Sequence, residues 1–220
     1  LDELPLPYYD NLDYLAYANT ANRFSYYNYP RRFPYATTVT SRGCKFNCSF
    51  CSTRAICGPK IRYRSADSVL TEIDWLVEKY GIKENIVLDD QFYLDNKRLK
   101  KILLGLIERK YDLEWKSINA GPYALSDEIL ELMRESGCYQ ISLSIESGTE
   151  EGLRLMKKPL RDPSKVKLVV EKARALGFEL GAMFIIGFPG ETWEQIRRTF
   201  QFAEELNLDF CNFNIATPLP

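Results

Sequence analysis

Apolar and polar residues alternate along this chain in two rhythms. From residue 35 onward, short runs at 35–41, 85–89, 113–119, 139–146, 179–186 and 210–216 read as strands. Between them the apolar positions recur at helical spacing: Val69, Leu70, Ile73, Leu76 and Val77, then Leu99, Ile102, Leu103, Leu106 and Ile107, then Ile129, Leu130 and Met133. Two more such stretches follow, with Val166, Val169, Val170 and Ala173, and with Trp193, Ile196, Phe200 and Ala203. The punctuation agrees with the rhythm. Ser65, Asp95, Ser126 and Asp162 fall at helix N-caps, Pro163 at a first helical position, and Gly81, Gly137 and Gly177 just beyond helix ends.

Strand alternating with helix predicts an α/β fold with a parallel sheet wound in one sense, either a barrel or an open arc of one. The strand faces decide against a doubly wound sheet, which is apolar on both sides. In Ile141 to Glu146 the apolar residues take one face while Ser142, Ser144 and Glu146 take the other, and Ser117 with Asn119 and Asn212 with Asn214 repeat the pattern. A polar inner face suits an arc that does not close and holds a polar ligand. Ligands in such folds sit at the carboxyl ends of the strands. Residues 1–34 differ from the rest, with prolines at 5, 7, 30 and 34 and eight tyrosines by Tyr35, and read as an irregular arm whose aromatics pack on a single domain spanning 35–220.

Composition narrows the class. Hydrophobic content of 45% and charged content of 27% are those of a soluble globular protein, no apolar run approaches a membrane span, and no secretory leader or lipid anchor is legible. The formal charge of −1 supplies no global attraction to nucleic acid or membrane. A local exception surrounds one loop, where Arg42, Lys45, Arg54, Lys60, Arg62 and Arg64 form a basic patch suited to a cofactor carboxylate or an acidic electron donor. Arg64, where the loop feeds into a helix, is the foremost of these candidates.

That loop carries the chemistry. Cys44, Cys48 and Cys51 stand as Cys-x3-Cys-x2-Cys after the β-branched run Ala36 to Thr40. Three thiolates in this spacing can hold three corners of an iron-sulfur cube, leaving one iron open, whereas electron-transfer clusters take four cysteines. A zinc knuckle or a four-cysteine electron-transfer module completed by Cys57 is the alternative, although the chain has no histidine and lacks the paired Cys-x2-Cys usual for zinc. Cys138 and Cys211, and Cys57 outside that alternative, read as small buried hydrophobes. Thiolates meant for iron must stay reduced, which points to the cytoplasm.

Ser41 to Cys51 resembles the signature of the radical S-adenosylmethionine (radical SAM) enzymes. Leu4 to Tyr8, Thr40 to Cys44, Tyr63 to Ser65, Leu88 to Phe92, Ile145 to Gly148 and Gly187 to Thr192 are similar to landmarks of its cobalamin (B12)-binding subgroup. The resemblance implies a partial, open (β/α)6 TIM-like barrel, the radical SAM core, with Cys44, Cys48 and Cys51 on a [4Fe-4S] cluster. It implies that Asp89 and Asp90 lie near the methionine amino group, where the commoner family form is Gly-Gly-Glu, and Glu146 near the ribose. It places Phe50 and the segment Ile185 to Gly187 beside the adenine, and Ser144 with Glu146 on the strand face turned to the cofactor. The implied reaction is reductive cleavage of S-adenosylmethionine to a 5′-deoxyadenosyl radical. That radical serves methylation or rearrangement of a small-molecule substrate, with a flavodoxin or ferredoxin as electron donor. A cobalamin-independent member, methylthiotransferase-like or oxidative, is the alternative. The subgroup's cobalamin domain precedes the leucine-proline linker, so the chain reads as the catalytic core of a longer protein, with cobalamin expected only from a domain absent here.

Overall fold

The computed structural model describes residues 1–20 and 29–217. Part of the aromatic arm, including Tyr26 and Tyr27, and the terminal Pro218 to Pro220 lie outside the described residues.

Six parallel strands form one sheet: β1 (Tyr35–Thr38), β4 (Glu84–Val87), β5 (Glu114–Ala120), β6 (Cys138–Glu146), β7 (Glu179–Ile186) and β8 (Phe210–Ile215). They lie side by side in chain order, β1-β4-β5-β6-β7-β8, and β1 does not pair with β8. The sheet is thus an open arc of a (β/α)6 barrel, as the polar strand faces predicted. Two residues each of β2 (Ser41–Arg42) and β3 (Arg62–Tyr63) make a separate antiparallel ribbon. The strand expected over 35–41 therefore ends at Thr38, and its last residue belongs to the ribbon.

Helices α3 (Ala66–Tyr80), α4 (Asn96–Arg109), α5 (Asp127–Glu135), α7 (Ser164–Ala175) and α8 (Trp193–Leu206) cover the convex side. Their caps follow the sequence signals. Ser65, Asp95 and Ser126 accept from the backbone amides of Ser68, Arg98 and Ile129, and Thr192 with Gln195 completes a capping box on α8. Asp162 accepts from the Ser164 amide at 2.9 Å, so the helix begins one residue later than Pro163. Each helix sends its apolar stripe onto the sheet. Leu99, Ile102 and Leu103 of α4 are essentially solvent-free, worth roughly 1.5–3 kcal/mol apiece in burial. The pattern missed α1 (Tyr14–Ala18), α2 (Thr53–Cys57) and α6 (Glu150–Leu155), which are too short to show a period.

The arm packs on the domain at two places. Tyr9 stacks on Tyr14 at 4.3 Å and on Trp75 at 5.6 Å, while Tyr14 meets Tyr80 at 4.6 Å. At the amino ends of the strands, the amides of Arg31 and Arg32 donate to the buried Glu84 carboxylate at 2.7 and 2.8 Å. Tyr139 donates its hydroxyl to the other oxygen of Glu84 at 2.6 Å, and the Arg31 guanidinium lies over the Tyr139 ring. The floor of the arc is therefore ionic and pinned by the arm, and the carboxyl ends form the mouth.

Candidate active site

The cysteine loop is pinched at its base. Asp89, just past β4 and 1% exposed, accepts from the Thr40 amide at 2.5 Å, the Thr40 hydroxyl at 2.6 Å and the Ser41 hydroxyl at 2.6 Å. Arg98 donates from below to the carbonyls of Arg64 at 2.5 Å and Thr40 at 3.1 Å. The ribbon β2/β3 then clamps the two ends of the loop together. Gly43 turns the chain out of the ribbon at φ 95°, and a Cβ there would stand 2.5 Å from the Lys60 carbonyl oxygen, so only glycine passes. On its far side the loop is tied to α6: the Ser49 amide donates to Met156 O at 3.0 Å and its hydroxyl to Leu155 O at 3.0 Å.

Held this way, Cys44, Cys48 and Cys51 line one cleft at the mouth, with about 650 Å³ of empty space continuous with solvent. The segment after β4 brings Asp90 and Gln91 to the cleft, the end of β5 brings Asn119 and then Tyr123, β6 brings Ser144 and Glu146, and the turn after α6 brings Lys158. Gln91 donates its amide to the Cys44 sulfur at 3.0 Å. Ser144 donates to Asn119, which reaches the Asp90 carbonyl at 3.4 Å. Lys158 pairs with Glu146 at 2.8 Å, both side chains about one-tenth exposed, and its ammonium also lies 5.8 Å from the Phe50 ring centroid. Phe46 and Tyr123 meet edge to face at 5.6 Å. Glu146 itself takes φ 75°, a left-handed conformation costing about 1–3 kcal/mol in a residue with a Cβ, at the point where the β6–β7 register shifts.

Burial pushes the Cys44 and Cys48 thiols up, with Lys158 opposing the rise at Cys48. Iron held there would reverse that balance, because a coordinating thiol is deprotonated outright. Burial also raises the Asp90 carboxyl. The donor set, three thiols lining one cleft with the Gln91 amide on the Cys44 sulfur, fits a cluster that takes one thiolate per iron. Cys57, at the far end of α2, does not line the cleft, and Cys138 is fully buried with its thiol on the Gln140 carbonyl.

Of the residues expected at the site, the structure brings together Cys44, Cys48, Cys51, Phe50, Asp90, Ser144 and Glu146. Four stand apart. The Asp89 carboxylate is consumed behind the cleft by Thr40 and Ser41. Arg64 turns to the first turns of α3, pairing with Glu72 and donating to the Ser68 carbonyl at 3.0 Å. Ile185 and Gly187, at the end of β7, do not line the cleft, and the Gly187 amide donates to Glu191 at 2.7 Å. The cleft is centred on β1, β4, β5 and β6, two strands away from Asn212 and Asn214. Gln91, Tyr123 and Lys158 were not foreseen. The basic pair Lys157-Lys158 before Pro159, twelve residues beyond Glu146, was the available signal for Lys158.

The sequence pattern of the radical SAM superfamily matches residues 38–203. An uncharacterised methyltransferase of Pyrococcus horikoshii is 34% identical over all of this chain and 45% of its own length. The cytidylyl-2-hydroxyethylphosphonate methyltransferase of Streptomyces wedmorensis is 31% identical, again over the whole chain and 42% of its own length. The chain thus spans less than half of these curated relatives. Among solved structures, the radical S-adenosylmethionine methyltransferase TsrM of Kitasatospora setae, with cobalamin and a [4Fe-4S] cluster bound, superposes with a TM-score of 0.76 at 21% identity, over 82% of this chain and 34% of that one. The cobalamin-dependent S-adenosylmethionine radical enzyme OxsB superposes with a TM-score of 0.66 at 20% identity, over 76% of this chain and 26% of that one. At these identities the two structures share the fold.

Proposed function

The chain belongs to the radical SAM superfamily, and from that membership we propose that Cys44, Cys48 and Cys51 hold a [4Fe-4S] cluster whose open iron receives S-adenosylmethionine from the adjoining cleft. The reading extends to methylation of a small-molecule substrate with cobalamin as partner cofactor, which the methyltransferase relatives and the cobalamin-containing structures support. The observation that carries it is the gathering of three cysteines on one cleft that the fourth nearby cysteine, Cys57, does not line.

When bound, the cluster supplies one electron for cleavage of the sulfonium, chemistry that belongs to the cofactors. The chain's own residues bind and orient. Asp90 offers a half-buried carboxylate to an ammonium, and Lys158 offers an ammonium to a carboxylate. Glu146 spends one oxygen on Lys158 and keeps the other for a hydroxyl donor. Phe50 and the Phe46–Tyr123 pair give a purine apolar surface and reduce water in the cleft. With no histidine in the chain, any proton must pass through carboxylate, lysine, tyrosine or thiol.

Anaerobic reconstitution followed by electron paramagnetic resonance tests the reading. The reduced cluster's spectrum is expected to change on adding S-adenosylmethionine, Cys44→Ala, Cys48→Ala and Cys51→Ala to lose the cluster, and Cys57→Ala to keep it. Lys158→Met should raise the S-adenosylmethionine concentration needed for the spectral change at least about tenfold, the cost of one charge-assisted contact. Zinc in place of iron, or a spectrum indifferent to S-adenosylmethionine, would overturn the proposal.

A further inference from the structure

The neck of the cysteine loop passes through Thr40, which is wholly buried with every polar group taken. Its amide and hydroxyl donate to Asp89, and its carbonyl accepts from the Arg64 amide at 3.0 Å and from Arg98 at 3.1 Å. Asp89 and Arg98 come from the two ends of the connection between β4 and α4. A carboxylate therefore holds the N–H end of Thr40 and a guanidinium its C=O end. Thr40 leads into β2 and Arg64 follows β3, so these two residues are the two sides of the neck. Arg98 reaches both: Nη2 takes the Thr40 carbonyl and Nε the Arg64 carbonyl at 2.5 Å. Its own place is fixed by the cap of α4, where Asp95 accepts from the Arg98 amide at 3.0 Å, and by the Tyr63 ring, 5.1 Å from the guanidinium carbon.

Stability alone does not call for an arginine here. The residue is 7% exposed, and its remaining nitrogen, Nη1, is buried with no partner. An apolar side chain would be buried without that penalty. What only a guanidinium supplies is a rigid planar fork that bonds two carbonyls at once. Four residues beyond Thr40 stands Cys44, whose sulfur receives the Gln91 amide from the same β4–α4 connection. That connection thus grips the loop at its neck and at its first thiol. Resting on the reading of Cys44 as a cluster ligand, we propose that Arg98 is a positioning residue: by tying the two sides of the neck together it keeps Cys44 against Gln91 in the cleft. It acts through Thr40 and Arg64 and lines no part of the cleft itself.

The test reads the thiols one at a time. The full chain, before reconstitution, is labelled with iodoacetamide, and the rate at each cysteine is followed by peptide mass spectrometry, with the core residue Cys138 as the reference for global opening. In Arg98→Met the Cys44 rate is expected to rise at least about tenfold while the Cys138 rate holds, and the iron bound on anaerobic reconstitution to fall substantially. Arg98→Lys keeps the charge but can hold only one of the two carbonyls, so its Cys44 rate should lie between those of wild type and Arg98→Met. Arg109→Met is the control. It cuts an ion pair to Asp74 at the other end of the same helix, and should lower the urea midpoint with the Cys44 rate unchanged. A wild-type Cys44 rate in Arg98→Met overturns the positioning role, as do Cys44 and Cys138 rates that rise together. Should Arg98→Met not fold, Arg98→Lys carries the same comparison, and a wild-type Cys44 rate in it is equally fatal. The labelling needs no metal, so a wild-type protein that shows the expected rates yet takes up no iron sinks the cluster reading and leaves the tie at the neck standing.

Discussion

Substituting Gly43 by alanine separates a backbone cost from a steric one at the base of the cysteine loop. Gly81 is the control: it caps α3 at φ 63° and ψ 31°, and a Cβ there meets nothing within 4 Å. Gly81→Ala therefore carries only the left-handed backbone term, about 1–2 kcal/mol. Gly43 adds an obstacle to a similar term. At φ 95° its new Cβ would sit 2.5 Å from Lys60 O and 3.2 Å from the Lys60 carbonyl carbon, both main-chain atoms of the returning arm of the loop. Main chain cannot rotate aside as a side-chain tip can, so the overpacking cost of roughly 1–3 kcal/mol applies. Gly43→Ala is then expected to lose about 2–5 kcal/mol, measured by equilibrium urea unfolding of the two variants side by side. Because the obstacle spreads the ribbon one residue before Cys44, the same variant should also bind substantially less iron per chain on anaerobic reconstitution, while Gly81→Ala binds the wild-type amount. Equal destabilisation of the two, with full iron in both, would show that the pinch at Lys60 does not set the position of Cys44.

Arg64→Ala is expected to destabilise by about 3 kcal/mol, since it strands the buried Glu72 carboxylate, and to leave the S-adenosylmethionine effect on the cluster spectrum unaltered; a weakened cofactor response at normal stability would return Arg64 to the site. Gln91→Leu removes the amide hydrogen bond to the Cys44 sulfur and should make the cluster harder to reduce, a more negative midpoint in a redox titration at unchanged iron content. Asp112 is held down to about 2 by Arg32 and Lys83, so the stability it contributes is present above the ordinary carboxylate pKa and is lost as pH falls from about 4 towards 2. In Asp112→Asn the acid limb of a urea-midpoint-versus-pH curve should be shallower over that window, and an identical limb would refute the assignment.

The open arc was legible because its helices are long and regular. Leu99, Ile102, Leu103 and Leu106 declare a face, and the polar strand residues declare the sheet's inner side. The three cysteines declared themselves by spacing. Side chains whose partners come from folding were not legible. Arg64 finds Glu72 two turns along α3, an arrangement visible only once the helix start is known. Asp89 and Asp90 are neighbours in sequence, yet one ties down Thr40 and Ser41 while the other lines the cleft. Both lie past the end of β4, where no strand alternation assigns either of them a side. Lys158 is the converse case, brought to Glu146 by the α6 turn, which is too short for any periodic signal.

An arc whose end strands do not meet has no fixed circumference. In a closed barrel, strand number and stagger dictate the diameter. Here small changes of twist, shared over five strand pairings, can bring β1 and β8 nearer or draw them apart. The width of the entrance is therefore not set by strand pairing across the seam between β1 and β8.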